Sequence, residues 1–463
     1  MKIKGLFILL LCLCFFAAGC ASAVNNGATA DQVLKEESDV IDESIEESSN
    51  DISAEISDES SEESIEESSD AEVITPPQDS VVTFYGCGDN MAHFSQIYDG
   101  LENAAREDGA EPNYKDLHNA RYNFLPYYEF IKEDIAGADI SYINQETLVG
   151  GDGKEISAYP KFNSPKGFGD AVAELGFDVV NLAHNHMLDS KSTEFLTYSN
   201  DFFTEKGVNT LGYYPTEESV EDILIIEKNG IKVGFLTYTY GTNGHKPEKG
   251  SELVVPLLEE ELIRKQVAIA KEKADFIIVS CHWGNEYTYK PNSEQKQFAQ
   301  LFADLEVDVV LGMHSHCIQP VEWVYSQSGS KTLVVYSLGS MVSDIRKGMS
   351  ALSGIFTFDI VKDGETGEIS IENPIFRPAI LHYIRGSRGV SENDTGSRQF
   401  KVYYLEDYTQ ELAEAHVIGS IERRDGEQTL IGGKFSLENL YNTVFGVIDE
   451  EFLPQAILDY KAE

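Results

Sequence analysis

Three apolar runs in this chain each end on residues equipped for chemistry, and that repeated arrangement constrains the fold more than any other feature. Phe177-Asp178-Val179-Val180-Asn181-Leu182 leads into Ala183-His184-Asn185-His186. Phe276-Ile277-Ile278-Val279-Ser280-Cys281 leads into His282-Trp283-Gly284, and Val307-Asp308-Val309-Val310-Leu311-Gly312 leads into Met313-His314-Ser315-His316. Each run reads as a buried strand. In parallel α/β sheets the loops at the carboxyl ends of strands converge on one crevice, so residues distant in sequence can share a site. Five of the ten histidines lie in these loops. Imidazole and amide side chains gathered in this way suit a transition metal.

The text between the runs alternates in period. Tyr127, Phe130, Ile131 and Ile135, just after Pro126, predict a helix before a strand at Ala138-Asp139-Ile140-Ser141-Tyr142-Ile143. Further helices are predicted over 167–175, 195–206, 259–273 and 293–305, and strands over 223–226 and 231–238 flank Asn229-Gly230, a hairpin signal. The alternation implies a layered α/β architecture with some antiparallel pairing. After residue 346 the pattern changes: antiparallel strands are expected at 354–360 and 369–371, then mixed polar text ending in a helical stretch at 437–449.

The first residues carry no fold information. Met1-Lys2-Ile3-Lys4 is basic, residues 6–16 are apolar but too short to span a bilayer well, and Ala17-Ala18-Gly19 precede Cys20. This looks like a bacterial lipoprotein signal with Cys20 as the lipid-bearing residue, or else an ordinary secretory signal with an incidental cysteine. Either way export is expected, and in the lipoprotein reading a lipid anchor places the chain on the extracellular face of the cell membrane. Residues 31–72 then hold 18 acidic residues against Lys35 alone, and Glu43-Ser44-Ile45-Glu46-Glu47-Ser48-Ser49 recurs at 63–69. Such a segment buries too little apolar surface to offset its ordering entropy and reads as an extended stalk. With a net charge of −44 the chain has no basic footprint for nucleic acid. Cys87, Cys281 and Cys317 are too few for a disulfide scaffold; Cys281 and Cys317 read as a pair, as a thiolate ligand, or as small apolar residues ending buried strands.

Taken in order, the loops carry a family resemblance. Gly88-Asp89-Asn90-Met91 follows the first strand and Asn144-Gln145-Glu146-Thr147 the second. Ala183-His184-Asn185-His186, His282-Trp283-Gly284-Asn285-Glu286, Gly312-Met313-His314-Ser315-His316 and Tyr336-Ser337-Leu338-Gly339-Ser340 complete the set. Over residues 81–344 this resembles the bacterial capsule-synthesis CapA family, associated with poly-γ-glutamate capsules, within the calcineurin-like metallophosphatase superfamily. The resemblance implies a four-layer sandwich of two mixed β-sheets flanked by helices, with a C-terminal extension. The implied organisation is a signal at 1–20, a disordered Ser/Glu-rich linker at 21–79, the metallophosphatase-like core at 80–345 and terminal strands and helices at 346–463.

It also implies roles. Asp89 would bind a first metal, and Glu146 would stand where the superfamily has a bridging aspartate. Asn185, His282 and His314 would bind a second metal, His316 would return to the first, and His186 would face the substrate as acid or phosphate-binding group. Asn144 and His184 would support them. One or two divalent ions, Mn, Fe or Zn rather than Ca, fit carboxylate and imidazole ligands. The pattern departs from the superfamily at Met91, which takes a histidine's place, and His93 reads either as a substitute ligand or as a surface residue. Trp283, Tyr238, Tyr240, Tyr287 and Tyr289 either rim a cleft or pack, while Glu286 and Glu322 read as solvated or bonded to a histidine.

Three functions are consistent with this. The first is a surface-anchored metal-dependent hydrolase acting on a phosphoester or anionic polymer. The second is a non-catalytic assembly or anchoring factor for a polymer such as poly-γ-glutamate, working with membrane-bound synthesis proteins. The third, a solute-binding lipoprotein, explains the anchor but not the histidine loops.

Overall fold

The structure, a computed structural model, describes residues 78–151, 154–389 and 396–462. The expected signal, Cys20 included, and all of the expected linker except Gln78 and Asp79 lie outside the described residues.

Among the described residues, fourteen strands form two mixed sheets. They are β1 (Ser80–Asn90), β2 (Ile140–Asn144), β3 (Val179–Asn181), β4 (Asn209–Leu211), β5 (Leu224–Lys228), β6 (Ile231–Thr239) and β7 (Phe276–His282). The rest are β8 (Val309–Met313), β9 (Ile318–Tyr325), β10 (Lys331–Leu338), β11 (Ser340–Val342), β12 (Leu352–Lys362), β13 (Ile369–Arg385) and β14 (Arg398–Tyr404). The first sheet runs β14-β13-β12-β1-β2-β3-β4 with β11 beside β1, and the second runs β5-β6-β7-β8-β10-β9. β1 through β4 are mutually parallel, as are β6, β7, β8 and β10. The antiparallel strands lie outside these parallel blocks.

Alternation along each strand sorts the side chains between layers. In the second sheet Val279, Cys281, Val310, Val334 and Tyr336 turn outward and pack on Ile263, Val267 and Phe302 from helices Glu260–Lys273 and Ser293–Asp304. Their neighbours Ile278, Ser280, Leu311 and Val335 turn inward toward the first sheet, whose other face carries helices Phe94–Glu107, Lys166–Glu174 and Glu194–Glu205. This is the layered sandwich expected from the sequence. The Asn229-Gly230 hairpin is present as well, with both turn residues at positive φ, 49° and 76°, as a tight two-residue turn requires.

The interface between the sheets changes character along the strands. Toward one end Phe84, Phe358 and Phe276 stack in series, with centroids 4.8 and 6.1 Å apart. Each such buried ring contributes about 2 kcal/mol of hydrophobic stabilisation. Toward the carboxyl ends of the parallel strands the contacts become polar: Tyr142 Oη meets Ser280 Oγ at 2.6 Å, and Thr237 donates to Asn181 at 2.8 Å. The apolar end holds the sheets together, which allows the other end to carry buried charge.

The tail is woven into this frame. β12 pairs with β1 from Ser80↔Lys362 to Cys87↔Ile355, and β13 and β14 extend the same sheet. Helices Val417–Asp425 and Leu437–Val447 pack near β13 and β9. The helix expected after Pro126 is broken: a 3₁₀ turn at Leu125–Tyr128 precedes a short helix at Lys132–Gly137.

Candidate metal centre

The carboxyl ends of β1, β2, β3, β7 and β8 bring Asp89, Asn144, Glu146, His184, Asn185, His186, His282, His314 and His316 to one place. Asp89, Glu146 and His282 are wholly inaccessible to solvent, and none of the other six is exposed. Two ligand groups form there: Glu146, His282 and His314 offer atoms within 4.8 Å of one another, and so do Asp89, Glu146 and His316. Glu146 belongs to both. Asn185 Oδ1 adds a further oxygen 3.1 Å from His282 Nε2.

Electrostatics argue that this cluster is built for a cation. Both carboxylate oxygens of Glu146 are buried without a hydrogen-bond partner, as is Nδ1 of His314. Burial, and then the neighbouring Asp89, push the Glu146 carboxyl well above its usual range. Burial also holds His282 and His314 far below the ordinary imidazole range, with His314 and His316 respectively adding to the effect. Imidazoles kept neutral, with lone pairs free, are in the state that coordinates metal. A dication would satisfy the orphaned oxygens and the apposed carboxylates together, so the residues fit a divalent metal. The thiols take no part: Cys281 faces the outer helices and Cys317 Sγ lies 3.2 Å from the Thr288 carbonyl.

A row of amides aims the ligands. Thr237 donates to Asn181, Asn181 Nδ2 to Asn144 Oδ1 at 2.7 Å, and Asn144 Nδ2 to Asp89 Oδ1 at 2.7 Å. That chain leaves Asp89 Oδ2 turned toward His316 Nδ1, 3.2 Å away. Asn144 therefore stands behind the ligands. So does His184, whose Nδ1 accepts from the His186 amide at 3.2 Å.

Close backbone approach explains two glycines in these loops. A Cβ on Gly88 would lie 2.0 Å from the Gly339 carbonyl, which accepts the Asp89 amide at 2.9 Å. A Cβ on Gly312 would lie 2.0 Å from the Tyr336 carbonyl, and Trp283 Nε1 donates to that same carbonyl at 3.0 Å. His314 and His316 both adopt positive φ, 92° and 52°. Left-handed non-glycine residues cost on the order of 1–3 kcal/mol each and cluster at functional sites.

His186 stands beside the ligand groups. Its Nδ1 meets Asp189 Oδ2 at 2.8 Å, and its ring is edge-on to Phe162, with centroids 4.8 Å apart. Asp189, which also accepts the Phe162 amide at 2.8 Å, was not picked out from sequence. The signal was available in its position three residues after His186, since a proton-exchanging histidine is normally oriented by a carboxylate.

Met91 is buried with Ala158, Phe162 and Ile345, so it packs and supplies no ligand. His93 is half-buried: its Nδ1 accepts the Asp344 amide at 3.2 Å and its ring abuts Phe162. The aromatics divide. Trp283 and Tyr238 are core, and Tyr289 donates to the Thr429 carbonyl at 2.9 Å. Tyr240 and Tyr287 are exposed and rim the site, against His314 at 4.5 Å and His316 at 6.0 Å. A separate cavity of about 970 Å³, lined by Arg121, Lys154, Asp170 and Lys206, contains none of the ligand residues.

The chain is 33% identical over 184 residues to the capsule biosynthesis protein CapA of Bacillus anthracis, covering 38% of this chain and 42% of that protein. It is 28% identical over 202 residues to the PGA biosynthesis protein CapA of Bacillus subtilis, covering 43% and 51%. It thus spans about half or less of the curated relatives it matches. Among solved structures, a 5'-nucleotidase precursor from Thermus thermophilus matches at 15% identity and TM-score 0.38, covering 64% of this chain and 54% of the other. The calcineurin-like phosphoesterase YfkN of Bacillus subtilis matches at 13% identity and TM-score 0.35, covering 83% and 100%. Similarity at that level carries no information about the site. The bacterial capsule synthesis protein family PGA_cap, by contrast, matches residues 83–345, a span that holds every metal-ligand candidate from Asp89 to His316. The chain belongs to that family.

Proposed function

We propose that this protein is a metal-dependent phosphoesterase-type component of capsule or poly-γ-glutamate synthesis. The observation that carries the reading is Glu146, shared by two ligand groups with both oxygens buried and unpartnered. In the proposed site Asp89, Glu146 and His316 hold one divalent ion, and Glu146, Asn185, His282 and His314 hold a second. Bound there, such ions would supply Lewis-acid and hydrolytic chemistry at a phosphoryl group. The protein's own part is to keep the imidazoles neutral, orient Asp89 through Asn144, and exchange a proton at His186. With Nδ1–H of His186 donating to Asp189, Nε2 is the atom left to serve a leaving oxygen.

The proposed setting is the extracellular face of the cell membrane, reached through lipidated Cys20, alongside membrane-bound polymer-synthesis proteins. The basic, apolar and small-residue order of residues 1–20 supports it. An anionic polymer or phosphoester substrate would meet the folded unit and its cations rather than the acidic stalk, which would repel it.

Metal analysis of the purified protein, combined with turnover of an aryl phosphate, tests the enzyme reading. Bound transition metal, with turnover lost in His186→Ala and Asp89→Ala, is the expected result. Metal-free protein without mutation-sensitive turnover overturns it. A non-catalytic assembly role is the second reading, favoured by Met91, which leaves one ligand set short of a histidine. A His186→Ala copy that fully restores polymer in a deletion strain would establish that second reading.

A further inference from the structure

The geometry points to Glu286 as a third carboxylate ligand of the metal centre, carried on the loop after β7 and closing over the ions from the solvent side. This inference rests on the metal-site reading above and extends it to a residue outside the buried clusters.

Among the described residues, Glu286, His314 and His316 form a third group whose ligand atoms all lie within 4.8 Å of one another. His314 belongs to one buried group and His316 to the other, so Glu286 faces both ion positions from above. Unlike Asp89 and Glu146, it is exposed. An exposed surface glutamate would ordinarily be solvated, but the loop that carries this one is firmly placed. Gly284 takes φ 90° and sits where a Cβ would strike the Gln295 amide, while Gln295 caps its helix with Asn292. Tyr287 takes φ 58°, and its amide donates to the Ser315 carbonyl at 2.8 Å. The residue after Glu286 is therefore anchored to the residue between the two histidines. That anchor delivers the carboxylate to the mouth of the site.

The need for it follows from composition. With Met91 packed among apolar side chains, Asp89, Glu146 and His316 give one ion three ligands. Divalent ions such as Mn prefer more, and hard or borderline ions accept carboxylate oxygen readily. Glu286 can supply the missing donor without a cost in buried charge, because in the absence of metal it remains in water.

The test uses the full chain stripped of metal and titrated with Mn(II) by calorimetry. Wild type, Glu286→Gln, Glu146→Gln and Glu322→Gln are compared, the last carrying its change on β9. Because Glu286 is exposed, the glutamine variant should fold. The expected result is an affinity about tenfold or more weaker in Glu286→Gln, with Glu322→Gln unchanged. The visible spectrum of the Co(II)-loaded protein, which reports ligand number, should change in the same variant. If Glu286→Gln takes up Mn(II) as wild type does and gives an unaltered Co(II) spectrum while Glu146→Gln loses metal, Glu286 is not a ligand and the metal-site reading stands. If wild type takes up no metal, both are overturned.

Discussion

His186 Nδ1 lies 2.8 Å from Asp189 Oδ2 within a single turn, and the same carboxylate oxygen accepts the Phe162 amide. The pairing fixes which imidazole nitrogen faces the site, and the Phe162 amide fixes the carboxylate. Asp189→Asn keeps an accepting oxygen for the Phe162 amide and His186 Nδ1–H but removes the negative charge that stabilises a protonated imidazole. Turnover should fall by about ten- to a hundredfold, within the range of a general acid's contribution, while metal content stays at the wild-type level. Metal analysis and steady-state kinetics on one preparation separate this from a folding defect.

Gly312→Ala addresses the frame. The added Cβ would lie 2.0 Å from the Tyr336 carbonyl and 2.6 Å from Trp283 Nε1, and backbone on the β10 side cannot rotate away. Overpacking of this kind costs about 1–3 kcal/mol or more, and the strand that moves carries Met313 toward His314. The variant should melt several degrees lower and bind metal more weakly. Unchanged melting would show that β8 and β10 approach less closely than described.

The sequence revealed the strands that end in ligands because those strands are buried on both faces and read as unbroken apolar runs. It placed the ligand loops in order for the same reason. Other elements escaped. Helix Phe94–Glu107 contains Gly100, which weakens a helical pattern by about 1 kcal/mol, yet a Cβ there would lie 2.5 Å from the Phe124 ring. The tertiary contact that demands glycine hid the helix. β14 escaped because its inward row begins with Arg398, a cation that pairs with buried Asp344 and so sits where an apolar residue would be expected. The Asn144 relay was invisible because Asp89, Asn144 and Asn181 meet only where β1, β2 and β3 pair, and Thr237 joins them only where the second sheet packs on the first.

Removing metal should loosen the same frame. Ligands that bind only the folded state stabilise it by about 2.7 kcal/mol at a hundredfold excess over Kd. Chelated protein should therefore melt a few degrees lower than protein with Mn(II), and Glu146→Gln should show a much smaller difference. Scanning calorimetry with and without chelator reads both. Equal melting with and without metal would argue against a shared Glu146 ligand.

Away from the centre, Asp99 gives a pH signature. It is buried in helix Phe94–Glu107, where its Oδ2 accepts the Phe400 amide at 3.1 Å and its Oδ1 has no partner. Burial raises its carboxyl to about 8; hydrogen bonding from Phe400 and Tyr127 works against that rise, and Glu102 and Arg106 act in opposite directions. An unfolded aspartate ionises near pH ~4. Between about pH 4 and pH 8 the unfolded chain therefore sheds a proton that the folded protein keeps, so this group lowers stability as pH rises through that window. Above pH 8 the loss is complete, on the order of a few kcal/mol at most. Asp99→Asn removes the titration. The variant should gain on wild type steadily from pH 4 to pH 8 in urea-midpoint measurements, and a difference that does not vary with pH would exclude Asp99 as the source.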